Sequence, residues 1–368
     1  MSIFPCSPRL VGPSGTNGAN RFCWDYFRLA RDPGAIRKCE RIEDVPAFDK
    51  RLFQPLTRIR LTASGRIVTQ VTWHEFEMPG VSKGDTVRPP MLDVQSTGPC
   101  LALKPYVRCY TQRTGCDKGV ISVDPVVARL EQAIEFQFET PYEIHQEGIE
   151  IARVAPLAAV IGPQTRRRFT VFIKGPVEAF AIIFQPAGFY RLFKIPLSEF
   201  ADDGTDGSLV FGSIVMSLRE RLGEVNHFAG RVRIAEEFLL PRLARVDERD
   251  PFAYIAASLL NVEVGSRIGE IASQIGLSLR QFERRFQQCA GVTPKLFGKI
   301  ARFQAALEQK KRFPSRSWMT VAHACGYFDQ MHLVRDFWDL GGASPSCVST
   351  DVPAEHINHL LEFPQDMK

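Results

Sequence analysis

The sequence predicts an α+β chain: a β-rich domain followed by an all-α domain with two helix-turn-helix units joined by a linker helix. Three observations carry this. Short β-prone runs, separated by Gly and Pro, fill residues 98–246. Helical periodicity then continues with little interruption to about residue 347. Within that helical part, a pattern of small residues, aromatics and Gly–Pro punctuation occurs twice, offset by 50 residues at its start and 51 at its end.

The elements follow in chain order. Residues 1–97 read as a poorly defined N-terminal extension, rich in Gly and Pro; Leu61 to Phe76, with Ile67, Val68, Val71 and Trp73, is expected to hold one or two strands. In 98–246 the strand runs are Tyr106 to Tyr110, Ile134 to Phe138, Ile149 to Val154, Arg168 to Ile173 and Ala179 to Phe184. Their spacing fits a compact antiparallel barrel or sandwich. Helices close this domain, with Phe189, Leu192 and Phe193 on one apolar face and Ile214, Leu218 and Leu222 on another. Val232 to Val246 adds a helix carrying Ile234, Phe238, Leu239 and Leu243. The stretch 247–251, Asp-Glu-Arg-Asp-Pro, reads as a linker, 250–350 as the double helix-turn-helix domain, and 351–368 as a tail.

Composition narrows the classes. With 45% hydrophobic and 24% charged residues in 368, the chain is that of a globular protein, not a disordered or collagen-like one. No apolar run approaches the roughly 18–20 residues that a bilayer needs; Ala179 to Phe184, among the longest, has six. No membrane partner is expected, and the N-terminus lacks the pattern of a secretory signal. The nine cysteines include no CxxC and no zinc-finger spacing, and Cys109 and Cys116 read as two reduced thiols. No metal and no cofactor are expected, and the location is cytoplasmic. A phosphate loop of the GxxxxGK[ST] type is absent, which argues against an ATPase.

The repeat is the most specific feature. Residues 271–294 read IASQIGLSLRQFERRFQQCAGVTP, and 321–345 read VAHACGYFDQMHLVRDFWDLGGASP. Both have a small Ala (Ala272, Ala322), a Gly four residues on (Gly276, Gly326), a later Phe (Phe286, Phe337) and a Gly-x-Ser/Thr-Pro close ending at Pro294 and Pro345. The Ala lets two helices cross closely, and the Gly supplies the positive φ of a sharp turn. Ser278 is placed to cap the helix that follows. Two short amphipathic helices around such a turn form the helix-turn-helix, whose second helix enters the major groove.

On these phrases, residues 255–347 resemble the AraC-type DNA-binding domain, in which one long helix bridges two such units. LKPYVRCY at 103–110 and IIFQPAGFYRLFKIP at 182–196 resemble the sensor-like domain of one group of these regulators. The sequence departs from the family at Asp336, where an apolar residue is usual, and at Val334, where a polar one is. An atypical second recognition helix is therefore expected.

A helical wheel separates contact from core. In the first unit Leu279, Phe282 and Phe286 share the core face, while Ser278, Arg280, Gln281, Arg284, Arg285 and Gln288 are the candidate DNA-binding residues. Arg suits guanine O6 and N7, and Gln suits adenine N6 and N7. In the second unit Leu333 and Phe337 turn inward, leaving Gln330, Met331, His332 and Arg335 as candidates. Residues 267–316 carry 11 basic and three acidic residues, whereas 317–347 carry one basic and three acidic. The first unit and its linker helix should thus supply most of the phosphate attraction, helped by the cluster Lys310, Lys311, Arg312 and Arg316.

The function this predicts is a sequence-specific transcriptional regulator and not an enzyme. Its partner is double-stranded DNA, and its β-rich domain responds to a small-molecule effector or mediates self-association as a homodimer. Two alternatives stand beside it. A cupin-like enzyme with an accessory DNA-binding domain would need a His and carboxylate set, and 98–246 hold only His145 and His227. The other is an architectural DNA-binding protein without a ligand.

Overall fold

The computed structural model describes residues 57–61, 67–71, 86–88, 92–115, 120–149, 151–167, 169–246 and 268–351. The chain divides into two units, 1–77 and 78–368. In the first, β1 (Thr57–Leu61) and β2 (Ile67–Val71) pair antiparallel, with Ile59 opposite Thr69. The remainder of the Leu61 to Phe76 stretch lies outside the described residues, as does the 247–251 linker.

Among the described residues the second unit has eleven strands: β3 (Thr86–Arg88), β4 (Leu92–Thr97), β5 (Val107–Gly115), β6 (Val120–Val126), β7 (Ala133–Gln137), β8 (Glu143–Gln146), β9 (Arg153–Val154), β10 (Ala158–Ile161), β11 (Phe169–Ile173), β12 (Val177–Phe184) and β13 (Gly204–Asp206). They form two facing sheets, one of six strands in the order β13-β10-β7-β12-β5-β4 and one of five in the order β3-β6-β11-β8-β9. Both sheets draw on strands upstream of residue 98: β4 pairs with β5, and β3 runs parallel to β6. The Ile149 to Val154 run reduces to the two-residue β9. Gly148 turns the chain at φ +79°, and Ile149, Ile151 and Val154 are left largely exposed without a face to cover.

Helices α1 (Gly188–Phe193), α2 (Gly207–Phe211), α3 (Ser213–Gly223) and α4 (Phe228–Leu239) cover the outer face of the six-stranded sheet. Tyr110, Ile134, Phe136, Val160, Phe180, Ile182 and Phe184 of the sheet meet Phe189, Leu192, Leu218, Leu222, Ile234 and Phe238. The buried edge of α3 is Val215, Leu218 and Leu222. Ile214, expected inward, is 57% exposed, because one residue along a helix turns a side chain by about 100°. The Val232 to Val246 helix starts earlier and ends as the 3-10 turn Leu240–Arg245.

One charged side chain is fully inside this core. Arg231 donates through Nε to the carbonyls of Leu222 and Val225 (3.0 Å each), bonds Gln112 Oε1 at 3.1 Å, and pairs with Glu178 at 2.8 Å. Its guanidinium also lies 4.4 Å from the Phe138 ring centroid. Removing it leaves two carbonyls, an amide and a carboxylate without their donor. Arg231→Met is therefore expected to cost roughly 3 kcal/mol or more, measured by chemical denaturation.

The C-terminal part is helical as expected: α5 (Ile268–Gln274), α6 (Leu279–Ala290), α7 (Pro294–Arg312), α8 (Trp318–Ala324), α9 (Gln330–Gly341) and α10 (Pro345–Asp351). Phe282, Phe286, Leu333 and Phe337 are fully buried, as the wheel requires. Leu279 is not: it is the first residue of α6, next to the cap, and stands 52% exposed.

Candidate nucleic-acid interface

Two units of the same construction flank α7. Each consists of a seven-residue helix, a glycine turn and a twelve-residue helix: α5 and α6 in the first, α8 and α9 in the second. Gly276 and Gly326 sit at φ +69° and +73°, where a side chain would be strained. The chain then closes each turn identically, Leu277 N–H on Ala272 O at 2.9 Å and Tyr327 N–H on Ala322 O at 3.0 Å. Ala272 and Ala322 are buried at the helix crossings. The extra residue of the second copy lies between Gly326 and the start of α9.

The long helices begin with side-chain caps. Ser278 Oγ accepts from Gln281 N–H at 3.3 Å, and Gln281 Oε1 accepts in return from the Ser278 N–H and hydroxyl at 3.0 Å each. Both residues are therefore committed to starting α6, which holds Gln281 at a fixed angle on its exposed first turn. In α9 the cap is Asp329, accepting from His332 N–H at 2.6 Å. The first unit's signal was legible as Ser-x-x-Gln.

Arg280, Gln281 and Arg284 are exposed on the first half of α6. Among the described residues no carboxylate forms an ion pair with Arg280 or Arg284. Arg285 and Gln288 are half-buried, and Arg285 has an interaction within the fold. On α9, Met331 and Arg335 are exposed, and Gln330 and His332 are half-buried. The cluster at the end of α7 is partly occupied in shaping the chain. Lys310 Nζ donates to the Pro314 and Arg316 carbonyls at 2.7 Å each, and Arg316 bonds Gln309 Oε1 at 2.7 Å while lying 3.8 Å over the Phe313 ring. Arg312 stays exposed.

The β-rich domain holds the far end of each long helix. Arg129 and Gln164 exchange two backbone hydrogen bonds of 2.8 Å, tying together the segments that leave β6 and enter β11. Beside this bridge, Ala128 N–H and Arg167 N–H both donate to Leu340 O, at 3.0 and 3.1 Å, next to the C-terminus of α9. Val127 and Ala128 are buried among Ile300, Phe303, Leu333, Phe337 and Leu340. At the end of α6, Gly291 has φ +80°, and a Cβ there would lie 2.6 Å from Pro163 Cγ. Ala187, at the start of α1, joins the core of Phe282 and Phe286. Sequence periodicity gave no sign of these contacts, because Ala128, Pro163 and Ala187 lie in connections.

A helix-turn-helix domain family matches residues 271–350. These residues form an AraC-type helix-turn-helix domain. Residues 95–206 match a domain family of unknown function, DUF6597. No curated protein matches the sequence. Among solved structures, ToxT from Vibrio cholerae O395 is 10% identical over 73% of this chain and 99% of its own, with a TM-score of 0.37. ToxT from Vibrio cholerae strain SCE256, bound to an unsaturated fatty acid, is 10% identical over 71% of this chain and 95% of its own, at 0.35. A putative ethanolamine utilization protein from Salmonella typhimurium LT2 is 12% identical over 36% of this chain and 95% of its own, at 0.19.

Within the AraC-type domain, Asp336 is 4% exposed. Lys299 Nζ lies 3.5 Å from it, Arg302 3.9 Å and His332 Nε2 4.0 Å. Lys299 also bonds Asp339 at 2.7 Å. The three acids of the second unit are thus used internally, one as a cap and two against α7. Burial pushes the Asp336 carboxyl above its ordinary value of 3.8, against the pull of Lys299, His332 and Arg302. A carboxyl whose folded pKa exceeds its unfolded one favours folding less as pH rises through that interval. Asp336→Asn lacks this term. Its melting temperature relative to wild type is therefore expected to be higher at about pH 7 than at about pH 4; thermal denaturation of both proteins across that range provides the check.

Proposed function

We propose that the chain is a sequence-specific DNA-binding transcription regulator whose β-rich domain controls the two recognition helices. The observation that carries this is the pairing of two equal units, each presenting the first half of its long helix to solvent while the β-rich domain holds its C-terminal end. The first half of a recognition helix is the part that meets base edges. In this reading Arg280, Arg284 and Arg335 contact phosphates or bases, Gln281 (through the amide nitrogen that the cap does not use) and Gln288 read base edges, and Arg285 adds to the field of α6. Gln330, Met331 and His332 supply limited readout, and Ser278 positions the α6 N-terminus.

Control passes through the Leu340 carbonyl and the Gly291 contact, since both are made by connections of the sheets. A small-molecule effector or self-association of the β-rich domain would act there, and the protein would work in the cytoplasm as a regulator, without catalysis. The cupin-like alternative needs three or more metal-ligating side chains together, and among the described residues no such group forms.

Selection of a random DNA library by the purified full-length protein tests the proposal. The expected result is an enriched site with two elements, bound with a steep salt dependence. Recovery of unenriched DNA, or no retention at low salt, would overturn it.

A further inference from the structure

The space between the two sheets is polar where a sandwich interior is ordinarily apolar. Strand registers show which residues share the inner face of the six-stranded sheet. One row across it runs Thr111, Ala181, Glu135, Ala159, and the next runs Arg113, Ala179, Gln137. On the opposite sheet, Asp124 stands beside Val171 and Ile144, and Ser122 beside Ile173. These faces look at one another, because Ile173, Val171 and Ile144 pack with Ala179, Val177 and Tyr142. The centre is therefore walled by small alanines and ringed by polar groups, nearly all of them buried.

Three features mark a built site. Arg113 forms an ion pair with Glu135 deep in the fold. Tyr142, 6% exposed, lies under the Arg113 guanidinium (5.9 Å to its ring centroid), and its hydroxyl has no hydrogen-bond partner. Ser122, 1% exposed on the facing sheet, likewise has an unpartnered hydroxyl. A buried hydroxyl without a partner costs about 1–3 kcal/mol, and cores normally avoid it. Burial pushes the Tyr142 phenol well above its ordinary value, so it remains a donor.

We propose that this interior binds a small zwitterion, a molecule of the α-amino-acid type, with its carboxylate on Arg113, its ammonium on Glu135, and the Tyr142 and Ser122 hydroxyls completing its hydrogen bonds. Arg113 pairs with Glu135, and the buried Asp124 carboxylate adds to the negative field on the guanidinium. A ligand carrying both charges replaces that pair end for end and leaves neither group alone, whereas a ligand with one charge strands the other partner. Ala133, Ala159, Ala179 and Ala181 keep the buried side chains of this face small. The inference rests on the regulator reading for its consequence only. Ser122 lies on β6, six residues before Ala128 and its bond to Leu340, so occupancy is connected to α9 by a single strand.

The test is thermal denaturation of the full-length protein with the standard amino acids and, as one-ended probes, butyrate and butylamine. At least one amino acid should raise the melting temperature saturably, and the one-ended probes should not. Tyr142→Phe and Ser122→Ala should melt no lower than wild type without ligand, since each removes an unpartnered group, and should weaken the response at least tenfold. Absence of any amino-acid effect, an equal effect of butyrate or butylamine, or an unchanged response in both variants would overturn the proposal. DNA binding, measured separately, distinguishes the two readings: salt-sensitive DNA binding without any zwitterion response removes this inference and leaves the regulator standing.

Discussion

Replacing Arg280, Arg284 and Arg285 together with glutamine should nearly abolish DNA binding and flatten its salt dependence. Each phosphate contact contributes about 0.9 to the slope of log affinity against log salt, so three lost contacts would remove a slope of up to about 3. Arg280 and Arg284 are exposed and form no ion pair among the described residues, so their charge is available to a phosphate or a guanine. Arg285 is half-buried and should account for the smallest share. Arg335→Ala, on α9, should cost less and chiefly relax preference over one half of the operator. The comparison needs binding titrations at several salt concentrations. A larger loss of slope from Arg335→Ala than from the triple change would reverse the assignment of labour between the units.

Phe286→Ala is expected to destabilise the first unit by about 3–5 kcal/mol. The Phe286 ring is fully buried, 5.9 Å from Phe282 and in edge contact with Phe297 at 5.5 Å, so its removal opens a cavity that three helices border. Ala187 of the β-rich domain packs on the same cluster, so the loss should also loosen the hold on α6. Arg284→Ala, two residues away and exposed, should leave the melting temperature intact and weaken specific binding by about 1–3 kcal/mol. Equal stability losses in the two variants would contradict the division of α6 into a core face and a contact face.

The helix-turn-helix units were legible because their signals are local. Ala272, Gly276, Ser278 and the 3.6-residue spacing of Phe282 and Phe286 each dictate a conformation within a few residues. Leu279, placed on the core face, is exposed because the helix has not yet reached its neighbour there, and Gln288 and His332, placed outward, are half-buried. Strands were harder to read. β6, Val-Ile-Ser-Val-Asp-Pro-Val, has its β-branched run broken by Asp124 and Pro125, β8 is Glu-Ile-His-Gln, and both are defined by pairing with β11. The expectation for Asp336 was an anomaly in the second recognition helix, and only the fold reveals Lys299 and Arg302 reaching it from α7. Charge counting also overstated the acidity of the second unit, since it ignores that Asp329 is a cap and that Asp336 and Asp339 face Lys299. Least legible of all was the contact between the domains, which depends on backbone groups of Ala128, Arg167 and Leu340 rather than on any motif.

In the proposed regulator, two recognition helices read separate parts of one DNA site. The most direct measurement is a titration of wild type, Arg284→Ala and Arg335→Ala on the selected operator and on versions with one half or the other scrambled. Scrambling the first unit's half should weaken wild type and Arg335→Ala more than it weakens Arg284→Ala; scrambling the other half should penalise Arg284→Ala as it does wild type, and Arg335→Ala less. Losses that do not depend on which half is scrambled, or equal binding to all three DNAs, would contradict it.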